Sequence, residues 1–214
     1  MDDIILEETR VKSGRVEFNY ELRGKLSHYF TTKCMYVEYG QEIGNVPKSI
    51  LNISFVASVL PLMWLTDTVL WVDEIDRTFY DCVIRLKNAY QELYPQYPLK
   101  GRFVAAKTVY NSYEIKRECL LLFSGGIDAH VSYLRNREYK PVLCNIQGWY
   151  DDPDKTKIAA ANADYKDIKA FARKEDVKFE YVKSNFATLV NNYEFKKNIQ
   201  TKLGDSWWHG FQHS

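Results

Sequence analysis

Cys119-Leu120-Leu121-Leu122-Phe123-Ser124-Gly125-Gly126-Ile127-Asp128-Ala129-His130 is the stretch that decides the fold. The large apolar residues 120–123 read as a buried strand, and the chain then runs through Ser-Gly-Gly into a helix. Ile127, Val131 and Leu134 recur behind the turn at helical spacing and predict the buried face of that helix. Two glycines at a strand-to-helix turn allow positive φ and let backbone N–H groups crowd together. Those groups sit at the positive end of the helix dipole, which makes a pocket for phosphate oxygens. The turn residues Ser124, Gly125, Gly126, Ile127, Asp128 and Ala129 are therefore candidate phosphate contacts, and Asp128 is placed to hold Mg²⁺ against the same oxygens.

Downstream, strands and helices alternate. Residues 141–146 predict a second strand, and 159–174 a helix with Ala161, Tyr165, Ile168 and Ala172 on one face. Residues 177–182 predict a third strand, followed by a helix across about 187–198. A β–α–β–α–β order is the nucleotide-binding half of a doubly wound parallel sheet, where ligand sits at the carboxyl ends of the strands. Ser124, Asn145 and Ser184 fall at such ends. The loop 145–150, with Gln147, Gly148, Trp149 and Tyr150, either approaches a ligand or is an ordinary exposed loop.

Upstream, residues 15–22 alternate apolar and polar and predict a half-buried strand, and 34–39 a second that pairs with it antiparallel. Residues 50–65 predict an apolar helix that Pro61 kinks or breaks. Residues 68–72 predict a short strand. Asp73 or Asp76 then caps a long amphipathic helix that ends near Leu93, and 102–110 predicts another strand. The chain thus divides into a smaller α+β unit, 1–113, and an α/β nucleotide-binding unit, 114–214, whose three strands make an incomplete sheet. Core packing accounts for Trp64 and Trp71, and helix caps or a solvated face account for Asp67, Asp73, Glu74 and Asp76.

A formal charge of +1 gives no electrostatic case for a nucleic-acid or acidic-membrane partner. Cys34, Cys82, Cys119 and Cys144 are scattered without a CxxC pair, which fits a reducing, cytoplasmic compartment. The 16 Tyr and 11 Phe point to packing and interfaces, and a homo-oligomer stays open. The uncharged stretch 49–66 is read as a buried helix rather than a membrane span, because Asn52, three serines and Pro61 interrupt it. Asp151, Asp152 and Asp154 around Pro153 either cap the next helix or hold a cation. His209 and His213 are four apart, but Gly210 between them weakens a helix and no third metal ligand is identifiable. Together with Gln212 they are candidates for the substrate side of the site, with aromatic packing by Trp207 and Trp208 as the rival.

The residues Ser124, Gly125, Gly126 and Asp128 resemble the Ser-Gly-Gly-x-Asp-Ser signature of the PP-loop ATP pyrophosphatases, with Ala129 in place of the second serine. The resemblance covers about residues 118–181. It is nearest in flavour to the 7-cyano-7-deazaguanine synthase group, whose C-terminal four-cysteine zinc cluster has no counterpart here. It implies a nucleotide-binding fold of the HUP type, with ATP and Mg²⁺ as cofactors. It also implies adenylation of a small-molecule substrate with release of pyrophosphate, or a non-catalytic nucleotide-binding module or fragment of a longer enzyme. In this reading Ser124, Gly125 and Gly126 cradle pyrophosphate, Asp128 is the catalytic metal ligand, and Asn145 and Gln147 lie near the adenosine.

Overall fold

The sequence 3–23 makes a hairpin: strand β1 (Asp3–Lys12) and strand β2 (Arg15–Arg23) pair antiparallel around Ser13-Gly14. Strand β1 has no clear signature in the sequence. Its inward residues are only Ile4 and Leu6, and the charged half after a register shift at Leu6/Glu8 hides the alternation. The Ser-Gly pair between two runs was the available signal. The computed structural model describes residues 2–112, 118–148, 155–195 and 197.

Strand β3 (Cys34–Tyr39) adds antiparallel to β2. Helix α1 (Lys48–Thr66) then leads to strand β4 (Val69–Asp76), and helix α2 (Arg77–Leu93) to strand β5 (Arg102–Val109). Strand β6 (Leu120–Leu122), helix α3 (Ile127–Arg135), strand β7 (Val142–Gln147), helix α4 (Lys155–Lys174) and strand β8 (Phe179–Ser184) follow in strict alternation. Across the span 187–198 predicted as a helix, the structure has a 3-10 turn at Phe186–Thr188 and helix α5 (Asn192–Phe195), while 196 and 198 lie outside the described residues.

The eight strands of the described residues form one mixed sheet in the order β5-β4-β1-β2-β3-β8-β7-β6, so the fold is α/β. Parallel pairs β1–β4 and β4–β5 make one end, and β6–β7 and β7–β8 the other. The antiparallel pairings between them make the two parallel blocks run in opposite directions. Right-handed crossovers from oppositely directed strands place their helices on opposite faces. Strand β8 records this: Phe179 packs into the cluster of Phe123, Tyr133, Leu143, Ile168 and Ala172, whereas Val182 packs into the larger cluster under α1 and α2. Residues three apart on a strand point to opposite faces.

Helix α1 is long and apolar enough to cross a bilayer, yet it is a core helix here. Phe55, Val56, Val59, Leu62, Met63 and Trp64 are buried against the sheet, and Pro61 sits within an unbroken helix. Two buried polar residues, Ser49 and Asn52, interrupt its apolar surface, and Asn52 is held by a network of its own. The Asn52 amide donates to the Glu74 carbonyl at 2.8 Å and to Asp73 at 3.3 Å, and its oxygen accepts from Thr9 Oγ1 at 2.7 Å. Asn52→Leu keeps the volume but strands those partners, and is expected to cost about 2 kcal/mol in chemical denaturation. A loss below about 0.5 kcal/mol would show that the network contributes nothing net.

Trp64 is buried as expected, but Trp71 is not a core residue. It is 45% exposed on the opposite face of β4, with its indole N–H donating to Asp3 at 3.3 Å. Asp76 is the cap of α2, accepting from the Phe79 N–H at 2.9 Å. The join near residue 113 falls mostly in 113–117, outside the described residues. On its far side, Leu189 and Phe195 are buried in the cluster under α1. Asn185 accepts from the Tyr36 N–H at 2.8 Å and donates to the Cys34 carbonyl at 3.0 Å.

Candidate functional site

The Ser-Gly-Gly turn lies where the sequence put it, at the carboxyl end of β6 and the start of α3. Only one of its glycines uses the left-handed region. Gly125 has φ +82°, with an added Cβ 3.3 Å from Ile168 of α4. Gly126 is the N-cap residue with φ −74° and ψ 171°, an extended conformation open to any residue. An added Cβ there would meet only Ser124 Oγ, at 3.5 Å. Ser124 Oγ accepts from the Gly126 N–H at 3.4 Å, and no side chain among the described residues caps the helix. The first-turn N–H groups of α3 are thus left facing exposed space beside Ser124, Gly125, Gly126, Ile127 and Asp128. Asp128 is exposed and makes no ion pair among the described residues. Among the described residues no group of three His, Cys, Asp or Glu side chains could hold a metal ion by itself. A single carboxylate beside open N–H groups fits Mg²⁺ only as an ion carried in with phosphate oxygens.

The strand and helix flanking this turn are less buried than their apolar residues predicted. Strand β6 is the edge of the sheet, and only Leu121 turns towards the α3–α4 cluster. Leu120 and Leu122 are 59% and 60% exposed on the other face. Ile127, Val131 and Leu134 point outward, and α3 packs instead through Ala129 and Tyr133, with His130 against the Phe123 and Phe171 rings. A continuous apolar run cannot distinguish a strand covered on both faces from one covered on one. Here the helices of the β6–β8 block lie on a single face.

Asn145 serves the turn from behind. Its side-chain amide donates to the Phe123 carbonyl at 3.2 Å, tying the end of β6 to β7. That bond gives Asn145 a positioning role, while Gln147 opens elsewhere. Gln147, Gly148 and Ser184, at the carboxyl ends of β7 and β8, line a cavity of about 210 Å³ with Tyr39, Ser54 and Ser58. Gly148 has φ +98°, and a Cβ on it would stand 1.8 Å from the Ser184 carbonyl oxygen. Ser184 Oγ accepts from the Phe186 N–H at 3.3 Å. The structure therefore brings Gln147, Gly148 and Ser184 together and leaves the Ser124–Ala129 turn one strand away, without lining that cavity.

Tyr39, Ser54 and Ser58 were missed because they belong to β3 and α1, more than 85 residues earlier in the chain. Only the β3–β8 pairing carries them to this end of the sheet, and no local motif marks them. Trp149, Tyr150, Asp151, Asp152, Asp154, Trp207, Trp208, His209, Gln212 and His213 lie outside the described residues. Comparison of the chain with protein-family models, curated proteins and solved structures finds no match.

Proposed function

We propose that this chain binds ATP with Mg²⁺ through a PP-loop-like turn and adenylates a small-molecule substrate with release of pyrophosphate. One observation carries the reading. Ser124, Gly125, Gly126 and Asp128 occupy an open, uncapped helix start at the carboxyl end of the first strand of a parallel β–α–β–α–β unit. In this chemistry a substrate oxygen attacks the α-phosphorus, the bond to the bridging oxygen breaks, and pyrophosphate departs with its electron pair. Ser124 and the Gly125 and Gly126 amides would bind the phosphates, and Asp128 would hold the Mg²⁺ that offsets charge on the leaving group. Asn145 would fix the turn. The adenine nucleotide and the unidentified substrate are the partners of this reading, and a cytoplasmic location fits it.

The turn lacks the Gly-x-x-x-x-Gly-Lys-Ser/Thr arrangement whose lysine supports γ-phosphoryl transfer. The nearest arginine or lysine side chains after the glycines, Arg135 in the last turn of α3 and Arg137 just past it, stand at the far end of the helix, and Arg137 is paired with Glu175 at 3.0 Å. Any turnover is therefore expected to yield AMP and pyrophosphate. Calorimetry is expected to show ATP binding that Mg²⁺ strengthens, and Asp128→Asn should remove that Mg²⁺ dependence, at least about tenfold, while leaving the melting curve in place. ADP as product, or an unaltered Mg²⁺ dependence in the variant, overturns the proposal.

Ala129 favours a second reading, a nucleotide-binding module without catalysis. Its methyl packs against the Phe123–Leu143 cluster where the resembling family offers a hydroxyl to phosphate. Mg²⁺-dependent binding without turnover, across candidate carboxylate and amide substrates, would select it.

A further inference from the structure

A larger cavity, about 550 Å³, lies between α1 and α2, within the roughly 300–1,000 Å³ typical of small-molecule pockets. Leu60, Pro61 and Trp64 of α1 form one wall, and Phe79, Val83 and Leu86 of α2 the other. Two features make it more than a gap between helices. Among the described residues Arg85 is the one charged side chain in its lining, and no carboxylate of them lines it. The neighbouring acid, Asp81, is already paired with Arg77 at 2.9 Å, and Arg85 has no ion-pair partner among the described residues. The second feature is the wall itself: Trp64, Val83 and Tyr90 are buried side chains that line the groove, so its body is apolar.

An apolar trough with a lone cation among its described lining residues selects for a ligand with an apolar body and an anionic group. We propose that this groove binds a medium- or long-chain carboxylate, its hydrocarbon between α1 and α2 and its carboxylate on Arg85. Ser58 and Phe186 line both this groove and the strand-end cavity, so the two spaces adjoin. The binding itself does not depend on the nucleotide reading.

The test is titration of the full chain with dodecanoate, below its micelle concentration, against dodecanol as the neutral control. Dodecanoate is expected to bind at least about tenfold tighter than dodecanol, and Arg85→Gln to erase that preference. Ala89→Trp, an exposed groove position on α2, is expected to abolish binding of both with the fold intact by circular dichroism. Absence of dodecanoate binding to the folded chain overturns the proposal. That would be the result if residues of this chain or an apolar helix of another protein occupied the groove. Equal affinity for the acid and the alcohol, or a preference that survives Arg85→Gln, overturns it as well.

Discussion

Gly148→Ala is expected to lower the melting temperature by about 10 °C, or to leave the chain unable to fold, although the change adds a single methyl group. Two costs combine. At φ +98° an L side chain is strained, by roughly 1–2 kcal/mol. The new Cβ would also lie 1.8 Å from the Ser184 carbonyl oxygen, a distance no contact sustains, so β7 and β8 must separate where they end. Forced overpacking costs about 1–3 kcal/mol more. Strand β8 is also the seam of the sheet, pairing with β3 from Val37↔Ser184 to Tyr39↔Val182. A displaced Ser184 therefore disturbs the joint between the two parallel blocks as well as a loop. Gly44→Ala is the control: an added Cβ there meets nothing within 4 Å, and its melting curve should not move. Equal melting of the two variants would refute the close approach of Gly148 to Ser184.

What could be read from residues alone follows a physical line. The alternation of strands and helices from 119 to 184 was legible because each element carries its own period and its own punctuation. The structure has each of them within a few residues. The α2 cap was legible down to two candidates, Asp73 and Asp76, because both precede an amphipathic run; the structure makes it Asp76. Burial was legible in part: Phe55, Trp64, Ile168 and Ala172 are buried as their patterns predict, but the apolar residues around the turn are not. Leu120, Leu122, Ile127, Val131 and Leu134 have core chemistry and stand exposed, because whether a face is covered depends on elements elsewhere in the fold. Nor was the joining of the sheet legible. Val37 and Ser184 are 147 positions apart, and nothing in either strand names the other as its neighbour. The candidate site divides in the same way. The turn 124–128 announced itself, whereas Tyr39, Ser54 and Ser58 reach the strand ends only through that pairing. Asn145 was picked out by its position after a strand. Its bond to the Phe123 carbonyl, which fixes what it does, needed coordinates.

Gly126→Val separates binding from folding at the turn itself. Valine is expected to be tolerated by the fold, because Gly126 is already in the extended region that β-branched residues favour. Its Cβ would find only Ser124 Oγ at 3.5 Å, an ordinary contact. Melting within about 2–4 °C of wild type is therefore expected, since an N-cap glycine replaced by an apolar residue costs at most about 1 kcal/mol. Binding should respond differently. The two added methyls would stand at the mouth of the uncapped α3 terminus, in the space a phosphate must enter to reach those N–H groups. A loss of about 100-fold or more in ATP affinity is expected, equivalent to roughly 2.7 kcal/mol. Gly125→Ala should behave in the opposite sense. With φ +82° and Ile168 only 3.3 Å from the new Cβ, it loses stability first, and its binding defect is inseparable from that loss. A folded Gly126→Val chain with wild-type affinity for ATP and Mg²⁺ would remove the turn from the binding site, whatever else the chain binds.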